Sequence, residues 1–284
     1  MSKNWFITGV SSGFGRAIAD AALARGDRVF GTVRKEEDRL AFEAASPGRA
    51  TGLILDVRDD AAVRRVVDAA AADGGIDVLV NNAGYCLVGA VEEAGIDELR
   101  AQMDVNFFGA VSVLQAVLPH MRAKRSGHIF NITSVSGIAA WMGIGFYCAS
   151  KHALEAIGKA LAQEVAGLGI RVTNVEPGAF RTGFNRAGAL SRAAAVIEDY
   201  APTSGLAWDI LSHSAGKEAG DPALAARAIL TALDAESAPL HLLLGSDAVF
   251  YAGREQAALA AEMTRWMPVT IAVNHADTPP TVHS

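Results

Sequence analysis

Three side chains near the middle of the chain have the types and the spacing that proton transfer to a carbonyl group requires. Tyr147 and Lys151 stand four residues apart, and Ser134 lies thirteen residues before the tyrosine. Apolar residues at helical spacing from 147 to 166 predict a helix, which would place the phenol and the ammonium on one face with Cβ atoms roughly 5–6 Å apart. Ser134 follows the β-rich run 128–133, and strand ends are where α/β folds expose side chains to a crevice.

The chemistry open to this trio is acid–base catalysis by the phenol. A phenol with a pKa of about 10 is about three pH units from neutrality. A cation about 4 Å away contributes on the order of 4 kcal/mol at an effective dielectric constant of about 20, so Lys151 could supply most of the required lowering. The Ser134 hydroxyl could hold a carbonyl oxygen while Tyr147 donates a proton to it. A buried tyrosine and a surface lysine with no shared role would show the same spacing.

A glycine-rich turn near the N-terminus has the context of a dinucleotide-binding loop. The apolar run 5–7 precedes the turn, and apolar residues at helical spacing follow it as far as Gly26. Glycines let the backbone approach a pyrophosphate, and the helix N-terminus offers free N–H groups to it. The predicted cofactor contacts here are Gly9, Ser11, Ser12, Gly13, Phe14 and Gly15. An ordinary glycine-rich strand–helix turn is the alternative for this segment taken alone.

The end of the second predicted strand, 28–33, bears on the choice of dinucleotide. Folds that prefer NAD usually place an acidic residue about 20 residues past the glycines, where it bonds the ribose 2′-hydroxyl. This chain has Thr32 there, followed by Arg34 and Lys35. Because an arginine fork binds a 2′-phosphate well, NADP(H) is the predicted preference, with NAD(H) also possible. Alternatively, the two cations simply begin a solvated charged run.

Asp56 and Val57 follow the third predicted strand, 52–55. The Asp56 carboxylate could accept a hydrogen bond from an adenine amino group, or it could cap the next helix. Strands continue to alternate with helices along the chain, which predicts a Rossmann-type α/β fold with a doubly wound, mostly parallel sheet of seven strands and helices on both faces. The predicted strands are 5–7, 28–33, 52–55, 77–80, 128–133, 170–175 and 240–244.

The chain is expected to form one domain. Residues 1–245 would form the dinucleotide-binding catalytic part, including an irregular segment at 183–220 that is interpreted as a substrate lid. Residues 246–284 would add a helix and a tail to the same domain. Within the long predicted helix 96–124, Pro119 should kink or end the helix, and Asn106 is unfavourable unless its amide is satisfied. Structural satisfaction is favoured over catalysis for Asn106 taken alone.

Composition narrows the function classes. With 284 residues, 51% of them hydrophobic, the chain is long enough for a large core, and its net charge of −6 argues against a nucleic-acid partner. Cys86 and Cys148 give neither a disulfide framework nor metal-ligand spacing, so no metal is expected. The N-terminus lacks a signal-peptide pattern and no run approaches 18 apolar residues, which favours a cytoplasmic protein without a membrane partner.

In order along the chain, these motifs resemble those of the short-chain dehydrogenase/reductase family over about residues 5–244. The turn Thr-Gly-x-x-x-Gly-x-Gly is similar to the family's cofactor loop, and Asn81–Gly84 to its fourth-strand motif. Pro177–Gly178 with Thr182 resembles the loop that contacts the nicotinamide carboxamide. The residues that match the catalytic tetrad are Asn106, Ser134, Tyr147 and Lys151.

The resemblance implies reversible alcohol–carbonyl redox chemistry in which the cofactor carries the hydride. It implies that Tyr147 is the general acid or base, and that Lys151 lowers its pKa while binding the nicotinamide ribose. Ser134 would orient the carbonyl oxygen, and Asn106 would hold a water that links Lys151 to solvent. The implied further cofactor contacts are Asn82, Ala83, Gly84, Tyr147, Lys151, Pro177, Gly178 and Thr182.

One position departs from the family pattern. Family members that use NADP often carry a basic residue where this chain has Ser12, so the preference would depend on Arg34, with lesser help from Lys35. Two other functions share part of the pattern. Epimerases and dehydratases keep the tyrosine–lysine pair but usually have a larger C-terminal domain than the roughly 40 residues after Leu244 allow. Non-catalytic dinucleotide sensors commonly lose the tyrosine or the serine.

The expected substrate is a moderately apolar secondary alcohol or ketone. Seven side chains could line an apolar pocket for it, or could equally pack the lid: Tyr85, Trp141, Phe180, Phe184, Leu190, Trp208 and Leu211. As in the family, the predicted helices 96–124 and 147–166 would pair across a two-fold axis and give a homodimer or homotetramer.

Overall fold

A seven-stranded parallel sheet forms the centre of the computed structural model, which describes residues 2–184 and 189–274. The strand order is β3-β2-β1-β4-β6-β7-β9, and a separate parallel pair joins β5 to β8. This confirms the predicted fold class. The strands are β1 (Asn4–Thr8), β2 (Arg28–Val33), β3 (Ala50–Ile54), β4 (Val78–Asn81), β5 (Cys86–Val88), β6 (Gly127–Ile132), β7 (Ile170–Pro177), β8 (Leu190–Arg192) and β9 (His241–Leu244).

Nine α-helices are found in the described residues. They are α1 (Gly13–Ala24), α2 (Glu36–Ala45), α3 (Asp60–Ala72), α4 (Ile96–Met103), α5 (Ala110–Lys124), α6 (Gly145–Val165), α7 (Leu206–Ser214), α8 (Pro222–Asp234) and α9 (Ser246–Ile271). A π-helical segment, Asp104–Gly109, joins α4 to α5. Of the two expectations for Pro119, that it kinks or ends the helix, the second is wrong, since α5 continues to Lys124. Core residues lie on both sides of the proline, Val117 before it and Met121 after it, and their burial outweighs the lost hydrogen bond.

The core lies in two layers, one on each face of the sheet. Trp5 and Ile7 of β1 pack with α1 and α8, whereas Phe6 between them packs with α3 and α5 on the other face. All three side chains are 0% exposed. The alternation follows from the two-residue period of a strand, and burial on both faces explains why the strands of this sheet read as continuous apolar runs.

The strand order reverses between β1 and β4, so the segments that follow these two strands diverge to opposite sides of the sheet. In open α/β folds the crevice at such a switch point, beyond the carboxyl ends of the strands, is the ligand site. Because the sheet is entirely parallel, Thr8, Asn81, Ile132 and Pro177 all end strands at this one edge.

The segment expected to be an irregular lid, 183–220, is more ordered than predicted. Its described part contains β8, two short helical turns and the nine-residue helix α7. Residues 185–188 of this segment lie outside the described residues. β8 pairs with β5 in register, Cys86 opposite Leu190, which places the start of the segment beside the strand that follows β4.

Candidate functional site

Tyr147 and Ser134 meet at the carboxyl edge of the sheet. Tyr147 lies in the first turn of α6, and Ser134 lies two residues beyond the end of β6. The Ser134 hydroxyl lies beside the Tyr147 phenol, close enough to lower the pKa of the phenol against the larger effect of burial. The same hydroxyl accepts from the Ser136 N–H at 3.0 Å and donates to the Pro177 carbonyl at 3.4 Å. The serine therefore connects the tyrosine to the loop that follows β7.

Lys151 lies one turn further along α6, inside the protein. Its Nζ donates to the Ile132 carbonyl at 2.8 Å and lies 5.7 Å from the centre of the Tyr147 ring. Burial lowers the pKa of Lys151 to about 8 and raises the pKa of Tyr147 above its usual value of 10. The expected lowering of the tyrosine pKa by the lysine is thus absent from the protein by itself. Desolvation disfavours the charged form of each group, the ammonium of Lys151 and the phenolate of Tyr147. This effect sets the direction of both pKa shifts.

Asn106 is satisfied by protein groups, as the sequence favoured. Its Oδ1 accepts from the Tyr85 N–H at 3.0 Å, and its Nδ2 donates to the Tyr85 carbonyl at 2.9 Å and to the Ser150 hydroxyl at 3.0 Å. The residue lies in the π-helical segment, which starts a new register of backbone hydrogen bonds at this point. A Cβ added to Gly84 would lie 3.1 Å from the Asn106 Oδ1 and 3.7 Å from the Lys151 Nζ, so Asn106 and Lys151 flank the same short backbone segment.

The glycine turn has the shape of a cradle for phosphates. Gly9 and Gly13 have φ angles of +76° and +64°, which favour glycine. A Cβ on Gly15 would collide with the Gly9 carbonyl. The side chain of Ser12, the residue before α1, makes no capping hydrogen bond to the helix. The first N–H groups of α1 therefore have no side-chain cap. These features fit a dinucleotide pyrophosphate at the start of α1.

Asn82 and Thr8 hold the glycine turn against the end of β4. The Asn82 Nδ2 donates to the carbonyls of Thr8 at 2.8 Å and Gly9 at 3.0 Å. In return, the Thr8 hydroxyl accepts from the N–H groups of Asn82 at 2.9 Å and Ala83 at 3.0 Å. The motif that follows β4 therefore holds the glycine turn in its conformation through hydrogen bonds to Thr8 and Gly9.

The ends of β2 and β3 carry the charges that would face an adenosine. Arg34 is exposed and makes no hydrogen bond or ion pair within the described part of the chain, whereas Lys35 is paired with Glu37 at 3.1 Å. Asp56 is paired with Arg58, Oδ2 to Nη2 at 2.6 Å, and the charge of Arg34 acts on it as well. The pKa of Asp56 is lowered, chiefly by its hydrogen bond with Arg58.

Two sequence interpretations change here. Asp56 does not cap α3, because Asp59 does so, its carboxylate accepting from the Ala62 N–H at 2.9 Å. Thr32 does not face a ribose. It is 2% exposed, and its hydroxyl and carbonyl both accept from the Gly9 N–H at 3.1 Å. Arg58 was not predicted as a site residue. The one feature of the sequence that could have indicated it is its position two residues after Asp56, near the end of a strand.

The loop after β7 is held by residues from the far end of the chain. The Gly178 N–H donates to the Leu244 carbonyl at 2.9 Å, and the Ala179 N–H donates to the Asp247 carboxylate at 2.7 Å. A Cβ on Gly178 would collide with that carboxylate, and a Cβ on Gly13 would lie 3.3 Å from the Thr182 carbonyl. The loop therefore reaches the glycine turn, and Asp247, which sequence reasoning missed, positions it.

Four of the seven candidate pocket residues gather around Tyr147. They are Phe184, Leu190, Trp208 and Leu211, together with Cys86, Val88 and Ile144. The Phe184 ring centre lies 5.8 Å from that of Tyr147. The other three candidates, Tyr85, Trp141 and Phe180, lie elsewhere: Phe180 packs on Phe14 and Trp141 packs on Tyr251. The phenol therefore has an apolar wall on the side of the lid segment.

Glu93 connects the lid segment to the rest of the protein through hydrogen bonds. The residue is 6% exposed, and its carboxylate accepts from the Ala90 N–H at 2.7 Å, the Ile197 N–H at 2.9 Å and the Ser204 hydroxyl at 2.5 Å. These bonds lower the pKa of Glu93, with the Ser204 hydroxyl contributing most. The middle of the lid segment is therefore anchored, and the interpretation of the segment as a substrate lid stays a prediction.

A second polar cluster lies two turns along α6 from the tyrosine. Glu155 and Glu176 are 2% and 0% exposed, and the His241 Nδ1 lies 3.3 Å and 2.6 Å from their Oε1 atoms. Asn174 donates to the Glu155 Oε1 at 2.8 Å. The three titratable side chains offer ligand atoms within 4.8 Å of one another, close enough to hold a metal ion. Sequence reasoning missed this group, because its members lie on three separate elements.

Comparisons with known proteins agree with this geometry. The profile of the family described as short chain dehydrogenase matches residues 3–191. Oxidoreductase BOA17 of Botryotinia fuckeliana is 40% identical over 274 residues, covering 96% of this chain and 99% of that protein. The 3-ketodihydrosphingosine reductase of Bacteroides thetaiotaomicron is 42% identical over 196 residues, covering 69% of this chain and 70% of that protein.

A solved structure shares the whole architecture. The crystal structure of a short-chain dehydrogenase from Streptomyces avermitilis is 43% identical, covers 96% of this chain and 98% of its own, and superposes with a TM-score of 0.90. Because the profile spans most of the chain and the superposition nearly all of it, this protein belongs to the short-chain dehydrogenase/reductase family and is an oxidoreductase that acts with NAD(P).

Proposed function

We propose that the protein interconverts a secondary alcohol and a ketone, with NADP(H) as its preferred dinucleotide and a moderately apolar molecule as its substrate. The observation that carries the proposal is the placement of the Ser134 and Tyr147 side chains next to each other, against an apolar wall at the carboxyl edge of the sheet. A nicotinamide dinucleotide bound at the glycine turn supplies the group that gives or accepts the hydride.

The roles of the side chains follow from their positions. In the reducing direction Tyr147 donates its proton to the carbonyl oxygen, and in the oxidising direction it takes the proton back. Ser134 lies beside the phenol, so its hydroxyl is placed to hold the substrate oxygen next to Tyr147. Lys151 lies behind the pair with its pKa near 8, and its positive charge stabilises the phenolate when Tyr147 gives up its proton.

The preference for NADP(H) rests on Arg34. This guanidinium is exposed at the end of β2 without a protein partner in the described residues, so no ion pair must break before it binds a 2′-phosphate. Its neighbour Arg58 is already neutralised by Asp56. Lys35 is engaged by Glu37, which leaves Arg34 as the main source of selectivity.

An apolar ketone fits the surroundings of Tyr147. Four large apolar side chains of the lid segment approach the phenol, and Leu206 and Ile210 of α7 extend the apolar surface outward with exposed fractions of 44% and 56%. A relative named as a 3-ketodihydrosphingosine reductase supports a ketone attached to an apolar chain. The proposed substrate is therefore a ketone or secondary alcohol with an apolar chain that lies along α7.

The proposal also covers the cellular location, the partners and the oligomeric state of the protein. A cytoplasmic location and a homodimer or homotetramer are proposed, without nucleic-acid or membrane partners. One described stretch, Ile96–Lys124, is long and apolar enough to cross a membrane, with a mean hydropathy of 1.2. Val113, Val117 and Met121 of this stretch are 0% exposed inside the core, and a core helix passes the same test of length and composition.

The test is turnover with a panel of ketones that differ in chain length. Purified protein should consume NADPH with apolar ketones and form the matching alcohols, and the Tyr147→Phe variant should bind NADPH without consuming it. A non-catalytic sensor would bind the dinucleotide with no turnover of any ketone in the panel. An epimerase would return an isomer of its substrate with no net change in NADPH, and either result would overturn the proposal.

A further inference from the structure

Two glutamates and a histidine from three separate elements meet on one face of the sheet. Asn174 and Glu176 are two residues apart in β7, so their side chains share a face. Asn174 pairs in register with His241, the first residue of β9. The Asn174 Nδ2 also donates to the Glu155 carbonyl at 3.0 Å and to the Glu155 Oε1 at 2.8 Å, which fixes α6 above the two strands. The strand order therefore assembles one imidazole and two carboxylates.

The two carboxylates are buried and only half satisfied. Glu155 and Glu176 are 2% and 0% exposed. Their Oε1 atoms have polar neighbours, since Asn174 donates to that of Glu155 and the His241 Nδ1 lies 2.6 Å from that of Glu176. Both Oε2 atoms are buried without a hydrogen-bond partner in the described residues. Buried polar atoms are nearly always paired, so two unpaired oxygens on neighbouring carboxylates point to a ligand that carries positive charge.

The cationic side chains nearby do not meet this need. The Lys159 Nζ lies 3.7 Å from the Glu155 Oε1, beyond hydrogen-bond distance, and its side chain is 46% exposed. The imidazole of His241 presents a single nitrogen, Nδ1, to both carboxylates. One ring nitrogen can donate one proton, which leaves the second carboxylate without a donor from this ring.

The donor atoms and their spacing fit an ion of the zinc class. The three ligand atoms lie within 4.8 Å of one another. Around a tetrahedral Zn²⁺ with bonds of about 2.0–2.1 Å, neighbouring ligand atoms lie about 3.3 Å apart. The His241 Nδ1 is 3.3 Å from the Glu155 Oε1, and its 2.6 Å separation from the Glu176 Oε1 would have to open by roughly 0.7 Å. Ca²⁺ and Mg²⁺ prefer six or more oxygen ligands, so the imidazole argues against them.

We propose that Glu155, Glu176 and His241 form a structural site for a divalent transition-metal ion such as Zn²⁺, which links β9 to α6 and β7. The Asn174 amide is the outer partner that orients the Glu155 carboxylate. The His241 side chain is 45% exposed at the edge of the sheet and gives the ion a path from solvent. The set contains no cysteine, so the spacing of the cysteines could not predict it. The inference does not depend on the proposed reaction.

The position of the site gives the ion a structural effect. β9 is the last strand of the sheet and pairs with β7 alone. Glu176 directly precedes Pro177 and Gly178, and the Gly178 N–H donates to the Leu244 carbonyl of β9. A metal bond from His241 to Glu176 would therefore hold β9 in place and, through it, the start of the loop after β7. Metal ions bind ionised carboxylates and neutral imidazole, so binding should release protons and weaken as the pH falls.

The first experiment measures Zn²⁺ binding by isothermal titration calorimetry of protein freed of metal with EDTA. The parent should bind one Zn²⁺ per chain, and so should His120→Ala, the matched control, whose exposed ring pairs with Asp68. Loss of an outer-shell partner typically costs about 10- to 100-fold in affinity, so loss of a ligand in His241→Ala or Glu176→Gln should cost at least tenfold. Undiminished binding in both variants would overturn the proposal, as would a parent that binds no Zn²⁺. Because the His241 side chain is partly exposed, His241→Ala keeps the test valid if Glu176→Gln fails to fold.

The second experiment measures the melting temperature of the metal-free parent at increasing Zn²⁺ concentration. Since the ion binds the folded chain, the melting temperature should rise with concentration, and the rise should be smaller in His241→Ala but not in His120→Ala. Mg²⁺ and Ca²⁺ at the same concentrations should give a smaller rise. Equal rises in the parent and His241→Ala would place the ion elsewhere and contradict the proposal. No rise at any pH near neutrality would mean that the carboxylates hold only a shared proton, and the proposal would be wrong.

Discussion

Helix α6 carries two buried polar clusters, and they resolve the cost of burial in different ways. At its N-terminal end Tyr147 and Lys151 are both shifted by desolvation toward their neutral forms, with the lysine pKa near 8. Two turns later Glu155 faces Glu176 and His241, and burial raises the pKa of Glu176 to about 7. In the second cluster the carboxylates lie beside the His241 ring and Lys159, whereas in the first cluster Lys151 does not offset the desolvation of the phenol.

The two clusters also differ in what they border, since the first lies at the carboxyl edge of the sheet beside the glycine turn and the second lies among α6, β7 and β9. In the second cluster the Glu155 Oε1 accepts from Asn174 and lies near His241 and Lys159, whereas the Oε2 atoms of Glu155 and Glu176 are buried without a hydrogen-bond partner in the described residues. A catalytic cluster keeps its protonatable groups short of partners, so that substrate and cofactor change their pKa values on binding. Substitutions in the first cluster should therefore affect turnover, and substitutions in the second should affect stability.

The largest expected effect is that of Tyr147→Phe. Removing the hydroxyl takes away the proton donor and little volume, so kcat should fall by roughly 10²–10⁴-fold, the usual contribution of general acid–base catalysis. The melting temperature and the Kd for NADPH should stay close to those of the parent. Activity within tenfold of the parent would place the catalytic proton elsewhere and remove the contrast between the two clusters.

Lys151→Ala should have the next largest effect, and on two quantities at once. The ammonium supports the phenolate and, in the proposed role, binds the dinucleotide, so turnover and NADPH affinity should both fall by about tenfold or more. Stopped-flow binding and steady-state rates separate the two. As a matched control on the same helix, the exposed Lys159→Ala, whose Nζ lies 3.7 Å from Glu155, should leave both quantities near those of the parent. Unchanged NADPH affinity in Lys151→Ala would contradict the double role.

Arg34→Ala should alter the choice of dinucleotide without altering the chemical step. A charge-assisted hydrogen bond contributes roughly 1.5–3 kcal/mol, so the preference for NADPH over NADH should shrink by about ten- to a hundredfold. The KM for NADPH should rise, whereas the KM for NADH and the kcat values with both dinucleotides should stay close to those of the parent. The parent preference should also weaken at high salt, because the guanidinium is exposed. Equal use of the two dinucleotides by the parent at low salt would make Arg34 an ordinary surface residue.

The smallest effect belongs to the second cluster and appears in the pH dependence of stability. The folded-state pKa of Glu176 is about 7 and lies above its unfolded value of 4.5, so the folded protein binds the extra proton between them. This contribution is complete below about pH 4.5 and is lost as the pH rises through 7, on the order of 1–3 kcal/mol. Urea titrations should show that Glu176→Gln removes this fall relative to the parent.

The control for this prediction is Glu164→Gln, an exposed carboxylate on the same helix, which should keep the parent's pH dependence. The kcat of Glu176→Gln should stay within a few fold of the parent, because no member of the cluster is among the proposed catalytic or cofactor-binding residues. If Glu176→Gln instead abolished turnover at full stability, the two clusters would act as one site.

The parts of the site that share one element were predictable from the sequence, and the parts assembled from distant elements were not. The helical spacing of Tyr147 and Lys151 fixed their common face, and the glycine turn fixed the cradle. The buried role of Thr32 could not be read from its position, because it depends on a bond to Gly9. The role of Asp247 and the partners of Glu176 were not predicted for the same reason. These contacts depend on the strand order, which brings β9 beside β7.

The dependence of Gly178 and Ala179 on Leu244 and Asp247 has a consequence for the order of assembly during synthesis. The cradle for the phosphates is complete once β4 has been made, since Thr8, Gly9 and Asn82 supply its bonds. The loop after β7 cannot take its final shape until β9 and the first turn of α9 have left the ribosome. A nascent chain can therefore form the glycine turn and its supports early, while the loop after β7 takes its final shape last.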